Sequence, residues 1–102
     1  MRILLLAVDG VFDTGLSLLL DTFATANELL NCPERGPHFQ VQVVGVRDRV
    51  RTQQGFVAPA VVAAGVAPPD LVVVPALGEK TPATLASALQ RPDVKDAAQL
   101  LV

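Results

Sequence analysis

The chain has 102 residues, of which 51% are apolar and only 4% aromatic, with neither Trp nor Tyr, and its net charge is −2. That length allows one domain at most, with a core of Leu, Val and Ala, and the mildly acidic balance argues against a general affinity for nucleic acid, which needs a basic surface. A single cysteine, Cys32, excludes an internal disulfide and a cysteine-based zinc site.

Ile3 to Val8 is an aliphatic run closed by Asp9-Gly10, the pattern of a buried strand ending in a turn. A helix comes next, with Asp13 or Thr14 expected as its N-cap. Leu16, Leu19, Leu20, Phe23 and Leu30 recur at helical spacing, and Leu18 and Leu29 widen the apolar face enough to meet a second partner besides a sheet. Asn31, Pro33 and Gly36 end this helix. Phe39 to Val46 reads as a second strand, with Gln40 and Gln42 marking a partly exposed face near a sheet edge. Val50–Thr52 and Phe56–Ala58 flank Gln53-Gln54-Gly55 as a hairpin, and a short helical turn is expected over Val61–Ala64. Asp70 to Pro75 is the clearest candidate for a buried strand. Thr81-Pro82 starts a helix that runs to about Gln90, since proline fits the first helical position. Pro92 opens another helix that includes Val94, Ala97, Ala98, Leu100 and Leu101.

Unbroken aliphatic strands alternating with helices predict a three-layer α/β/α fold, flavodoxin-like, with a mostly parallel sheet. The last helix meets no closing glycine before Val102, so residues 1–102 are expected to be the amino-terminal half of a larger domain. Arg2 is followed by six apolar residues before Asp9, too few for a signal peptide, and no run approaches the roughly 20 residues of a membrane span. A cytoplasmic location and no membrane partner are expected.

Ligands of open parallel sheets gather beyond the carboxyl ends of the strands. Two segments qualify. Asp13, Thr14 and Gly15 come after the first strand, and Ala76, Leu77 and Gly78 after the strand ending at Val74; these six are the candidate ligand-binding residues, through backbone amides and helix starts. Their glycines are equally explained as tight turns. Asp9 and Asp13 offer acid and base, against which capping and loop solvation stand as well. Cys32 precedes proline at the exit of the first helix and reads as a small filler, and His38 begins an outer strand. No catalytic residue, metal site or cofactor is therefore assigned. Neither a G-x-S-x-G elbow nor a G-x-G-x-x-G or phosphate-binding loop occurs. Arg47, Arg49 and Arg51 alternate and so project from one side of the hairpin. With Asp48 among them, a solvated, association-resistant edge is favoured over a phosphate or DNA contact.

Arg2-Ile3-Leu4-Leu5-Leu6 to Gly10, Leu20-Asp21-Thr22-Phe23 with Ala26-Asn27-Glu28-Leu29, Val41 to Val46, Val50-Arg51-Thr52 with Gly55, and Asp70-Leu71-Val72-Val73-Val74-Pro75 together resemble the ThiJ/PfpI superfamily (class I glutamine amidotransferase-like). The nearest branch is the GlxA-type regulators, in which such a domain precedes an AraC-type helix-turn-helix. The resemblance covers nearly the whole chain. It implies a nucleophile elbow beyond Val102, and it sets Gly15 where the family's enzymes carry their acidic residue, with Asp13 two positions away. Gly78 falls where family members offer backbone amides near the nucleophile. The resemblance thus implies a ligand-sensing or dimerising module, answering to a small-molecule effector and reaching DNA only through a region absent from this chain; a homodimer is expected because the first helix is too apolar for one sheet contact and the sheet leaves an aliphatic strand at its edge. A cysteine hydrolase or hydratase using Asp13 as displaced acid, and a self-contained interaction module, are the alternatives.

Overall fold

A computed structural model describes residues 1–31, 33–34 and 36–101. Cys32 and Val102 lie outside the described residues, and with them the expectations placed on both.

Among the described residues, six strands, three α-helices and one 3-10 turn occur in the order β1 (Arg2–Leu6), α1 (Asp13–Leu29), β2 (Gln40–Gly45), β3 (Arg49–Arg51), β4 (Val57–Pro59), β5 (Val61–Val62), the 3-10 turn (Ala63–Gly65), β6 (Leu71–Val73), α2 (Pro82–Leu89) and α3 (Pro92–Gln99). The main sheet has the order β5-β2-β1-β6 and every pairing in it is parallel. Its three longer-range strands, β2, β1 and β6, give the 2-1-3 arrangement with which a flavodoxin-like sheet opens. β3 and β4 form a separate antiparallel hairpin with Val50 opposite Ala58. The predicted α/β class and the expected hairpin are both present.

β1 is the centre of the molecule. Alternate side chains of a strand face opposite sides, and the two parities of β1 seed two cores. Ile3 and Leu5 join Ala7, Val11, Leu16 and Val50, with Leu19 and Phe23 of α1 packed against them. Leu4 and Leu6 join Val44 and Ala97, which brings α3 to the other face. Ile3 and Leu5 are fully buried, each contributing about 1.5–3 kcal/mol from removal of apolar surface. The result is helix, sheet, helix.

Several local expectations shift for physical reasons. The N-cap of α1 is Phe12, with extended backbone and no side-chain cap, and Asp13 is the first helical residue. Its carboxylate is engaged instead by the amide of Gln54, at 3.1 Å. The buried stripe of α1 is narrower than the spacing predicts, because Leu20 and Leu30 are exposed along with Leu18 and Leu29. Val61–Val62 pair with Val44–Gly45 as a strand, and the helical turn begins only at Ala63. β6 is shorter and less covered than expected: Leu71 is 45% and Val74 56% exposed, because β6 pairs with β1 on one side and is the last strand of the sheet on the other.

Asn27 ties α1 to the amino end of β2. Its amide donates to the carbonyl of Phe39 at 2.9 Å and accepts from the Phe39 amide at 2.8 Å, supplying a strand-like pairing from a helix. At α2 the sequence reading holds closely. Thr81 is the N-cap, its hydroxyl accepts from the Thr84 amide at 3.1 Å, and Pro82 occupies the first turn.

A folded monomer of 10.7 kDa exposes about 5,500 Å². This chain exposes 6696 Å², about 1,200 Å² more. Its radius of gyration, 14.4 Å, likewise exceeds the value of about 13 Å usual for this length. Exposed aliphatic side chains include Leu71, Val72 and Val74 at the β6 edge and Leu18 and Leu29 on the outer side of α1.

Candidate functional site

At the carboxyl end of the sheet three segments run side by side. Val11, fully buried, bridges Thr52 in parallel and Leu77 in antiparallel fashion. Around it the backbone is closed by hydrogen bonds: the Gln53 amide donates to the Val11 carbonyl at 3.0 Å, the Phe12 amide to the Ala76 carbonyl at 2.8 Å, and the Gly78 amide to the Gly10 carbonyl at 2.7 Å. The loop after β1, the tip of the hairpin and the loop after β6 thus form one platform. Two glycines shape it. Gly10 takes φ +87° at the third position of a turn closed from Val11 to Val8, a conformation that L side chains seldom adopt. Gly78 is required by space: a Cβ there would lie 2.6 Å from the Cβ of Gln53.

Asp9 anchors the platform. Its Oδ1 accepts from the Arg51 amide at 2.9 Å, its Oδ2 accepts from the Arg47 guanidinium, and its backbone carbonyl accepts from the Arg91 guanidinium. Arg91 also pairs with Asp93 at 3.1 Å, so the residue capping α3 fastens that helix to the end of β1. Burial by itself raises the carboxyl pKa of Asp9. The Arg51 amide, the Arg47 hydrogen bond and the charges of Arg47 and Arg91 outweigh it and hold the pKa below its ordinary value. A carboxylate kept ionised by two guanidinium groups is an electrostatic clamp and a poor general acid.

Of the six sequence-predicted residues, Ala76, Leu77 and Gly78 are built into this platform, and Asp13, Thr14 and Gly15 form the first turn of α1 beside it. The amides of Phe12 and Gly78 are consumed by backbone pairing, Leu77 forms the bridge to Val11, and Ala76 lends its carbonyl to it. Gly15 lies against the ring of Phe12, over which the Lys80 ammonium sits 4.7 Å from the centroid. Thr14 is exposed. Asp13 has one oxygen on the Gln54 amide, and the other, Oδ2, is buried with no hydrogen-bond partner among the described residues. His38 lies at the amino end of the sheet, where its carbonyl accepts from the chain's amino group at 3.0 Å. Gln53 and Arg91 belong to the platform without having been singled out from the sequence. Arg91 contacts a residue 82 positions away, for which local spacing holds no signal; Gln53 was visible only as turn chemistry.

A larger cavity than any beside the platform lies elsewhere. About 590 Å³ in volume, it lies between α1 and the amino half of β2, lined by Leu20, Phe23, Asn27 and Phe39 among others. Among the described residues no group of His, Cys, Asp and Glu is placed to hold a metal ion, and no helix is long and apolar enough to cross a membrane.

Fold and platform together define an α/β domain built around a parallel sheet, with its loops gathered at the carboxyl end. No family profile matches the chain, and no curated protein matches it. A solved structure does: the AraC family transcriptional regulator from Pseudomonas putida superposes with a TM-score of 0.62 at 26% sequence identity, over 97% of this chain and 51% of that one. The chain therefore spans about half the length of that regulator.

Proposed function

We propose that this chain is the sensing and dimerising part of an AraC-family transcriptional regulator of the GlxA type, built on a ThiJ/PfpI-like domain. One observation carries the reading: the match to the Pseudomonas putida regulator, at 26% identity, extends over 97% of the chain. The ordered motifs from Arg2–Gly10 through Asp70–Pro75 support the finer assignment. In this reading the effector is a small molecule held at the carboxyl-end platform, against Asp13, Thr14, Gly15 and the Ala76–Gly78 loop. DNA is contacted by a region outside this chain, and the protein works in the cytoplasm as a homodimer.

The surface supports association. The chain has about 1,200 Å² more exposed area than a monomer of its mass, and exposed leucines on the outer side of α1 contribute to it. Leu18 and Leu29, 62% and 82% exposed, stand three helical turns apart on the same outward side of α1 and are assigned to the second copy. The open edge of β6 is assigned to a further strand of the longer parent protein. The test is a fusion of the chain to a DNA-binding domain that represses a reporter only as a dimer. Repression is expected, and Leu18→Glu with Leu29→Glu is expected to relieve it. A fusion that fails to repress although it is expressed and folded contradicts the dimerising role.

One observation favours a second reading, a ThiJ/PfpI-type cysteine hydrolase or hydratase. The Oδ2 of Asp13, buried with no partner among the described residues, is the kind of acceptor that orients a thiol. Electrophile labelling of a single cysteine in the longer parent, lost in Asp13→Asn, is the outcome that reading requires.

A further inference from the structure

Arg47, Arg49 and Arg51 are three of the chain's eight basic residues, and with Arg91 they place half of its positive charge around Asp9. Val50 points into the core between Arg49 and Arg51, so the strand's alternation sends those two arginines to the outer side, and Arg47 joins them from the bend before β3. They do not simply fan out into solvent. Together with Asp9 and Val57 they line one concave groove of about 380 Å³, a volume suited to a small molecule.

Within it the charges are unequal. Asp9 is the lining carboxylate, and it is committed to Arg47 and to the Arg51 amide. The guanidinium groups of Arg49 and Arg51 form no hydrogen bond or ion pair among the described residues. Asp48, in the bend before β3, is absent from the lining. Asp9 therefore neutralises one arginine and fixes its position, leaving two planar, always-charged donor forks on the same wall. That arrangement matches an oxyanion, since a guanidinium binds carboxylate or phosphate oxygens in bidentate fashion.

We propose that this groove binds the oxyanion group of a small ligand, a phosphate ester or a carboxylate, with Arg49 and Arg51 as its direct donors and Asp9 as the residue that positions Arg47. The site is distinct from the Asp13 and Ala76–Gly78 residues, and the inference stands on the groove's own residues whether or not the chain serves a regulator.

The test monitors the arginine Nε–H resonances of the full chain as sodium phosphate or sodium succinate is added, with sodium chloride at matched ionic strength as reference. Saturable shifts at Arg49 and Arg51 are expected with at least one oxyanion and not with chloride. Arg49→Gln with Arg51→Gln is expected to weaken binding at least about tenfold, while Lys95→Gln on α3 leaves it unchanged. Arg49 and Arg51 are both exposed, so the double variant retains the fold, which its amide spectrum verifies. Equal responses to chloride and oxyanions, or equal loss in Lys95→Gln, would overturn the proposal. So would a short DNA duplex shifting the same resonances at lower concentration than either small oxyanion, which would make the groove a nucleic-acid contact.

Discussion

Replacing Gly78 by alanine tests how tightly the three loops of the platform are held together. An added Cβ would lie 2.6 Å from the Cβ and 2.7 Å from the Cγ of Gln53, where ordinary contact begins near 3.4 Å. Neither backbone can easily retreat, because the Gly78 amide is bonded to the Gly10 carbonyl and the Gln53 amide to the Val11 carbonyl. Overpacking of this kind costs about 1–3 kcal/mol. Taking about 2 kcal/mol, and a urea dependence of about 1–2 kcal/mol per molar for a chain of this size, the unfolding midpoint of Gly78→Ala falls by roughly 1–2 M. The clash lies with the Cβ itself, so the second substitution decides the case. Gln53→Gly removes that atom and is expected to restore about 1–2 kcal/mol of the loss in a double-mutant cycle. Gln53→Ala keeps the Cβ and is expected to restore little. If Gly78→Ala unfolds at the wild-type midpoint, or if Gln53→Ala rescues as well as Gln53→Gly, the close approach of these loops is not what makes glycine necessary.

Asp9 predicts an acid limb. Its carboxyl pKa is lower in the folded chain than its ordinary value, so its contribution is complete above about pH 5 and is lost as pH falls through the ordinary value of about 3.9 toward the depressed one; urea midpoints measured from neutral pH down to pH 3 should decline less in Asp9→Asn. With the side chain a third exposed, that substitution is expected to cost only about 0.5–1 kcal/mol at neutral pH. Asn27→Ala removes both bonds to Phe39 and leaves a backbone pair unmatched, an expected loss of about 2 kcal/mol by urea unfolding. Thr81→Ala breaks the capping box of α2 for about 1 kcal/mol, seen as faster hydrogen exchange of the first α2 amides and largely reversed by Thr81→Ser.

What could be read from the sequence was chiefly what local chemistry controls. The aliphatic run at 3–8, the Gln53-Gln54-Gly55 turn and Thr81-Pro82 each carry their own signal, and the strand, hairpin and capped helix stand where expected. The N-cap of α1 was missed because Asp13 has a competing partner, the amide of Gln54, which the chain brings close only after the hairpin folds back. Asp70 to Pro75 read as buried because an aliphatic strand in a parallel sheet usually has neighbours on both sides; β6 has one. The site divides similarly. Its two loops were visible as segments just after strands, whereas the charges that organise it were not. Asp9 meets Arg47, Arg51 and Arg91 across 38 to 82 residues. The alternation at 47, 49 and 51 predicted a common side, but the concavity on that side depends on where Asp9 and Val57 arrive.

The reading of this chain as an association module rests on surface that one copy leaves uncovered. Sedimentation equilibrium from about 1 to about 100 µM addresses it directly, a range that detects an interface of micromolar or tighter affinity. A concentration-dependent rise to twice the 10.7 kDa protomer mass is predicted, abolished by Leu18→Glu with Leu29→Glu. A folded monomer throughout that range would contradict it.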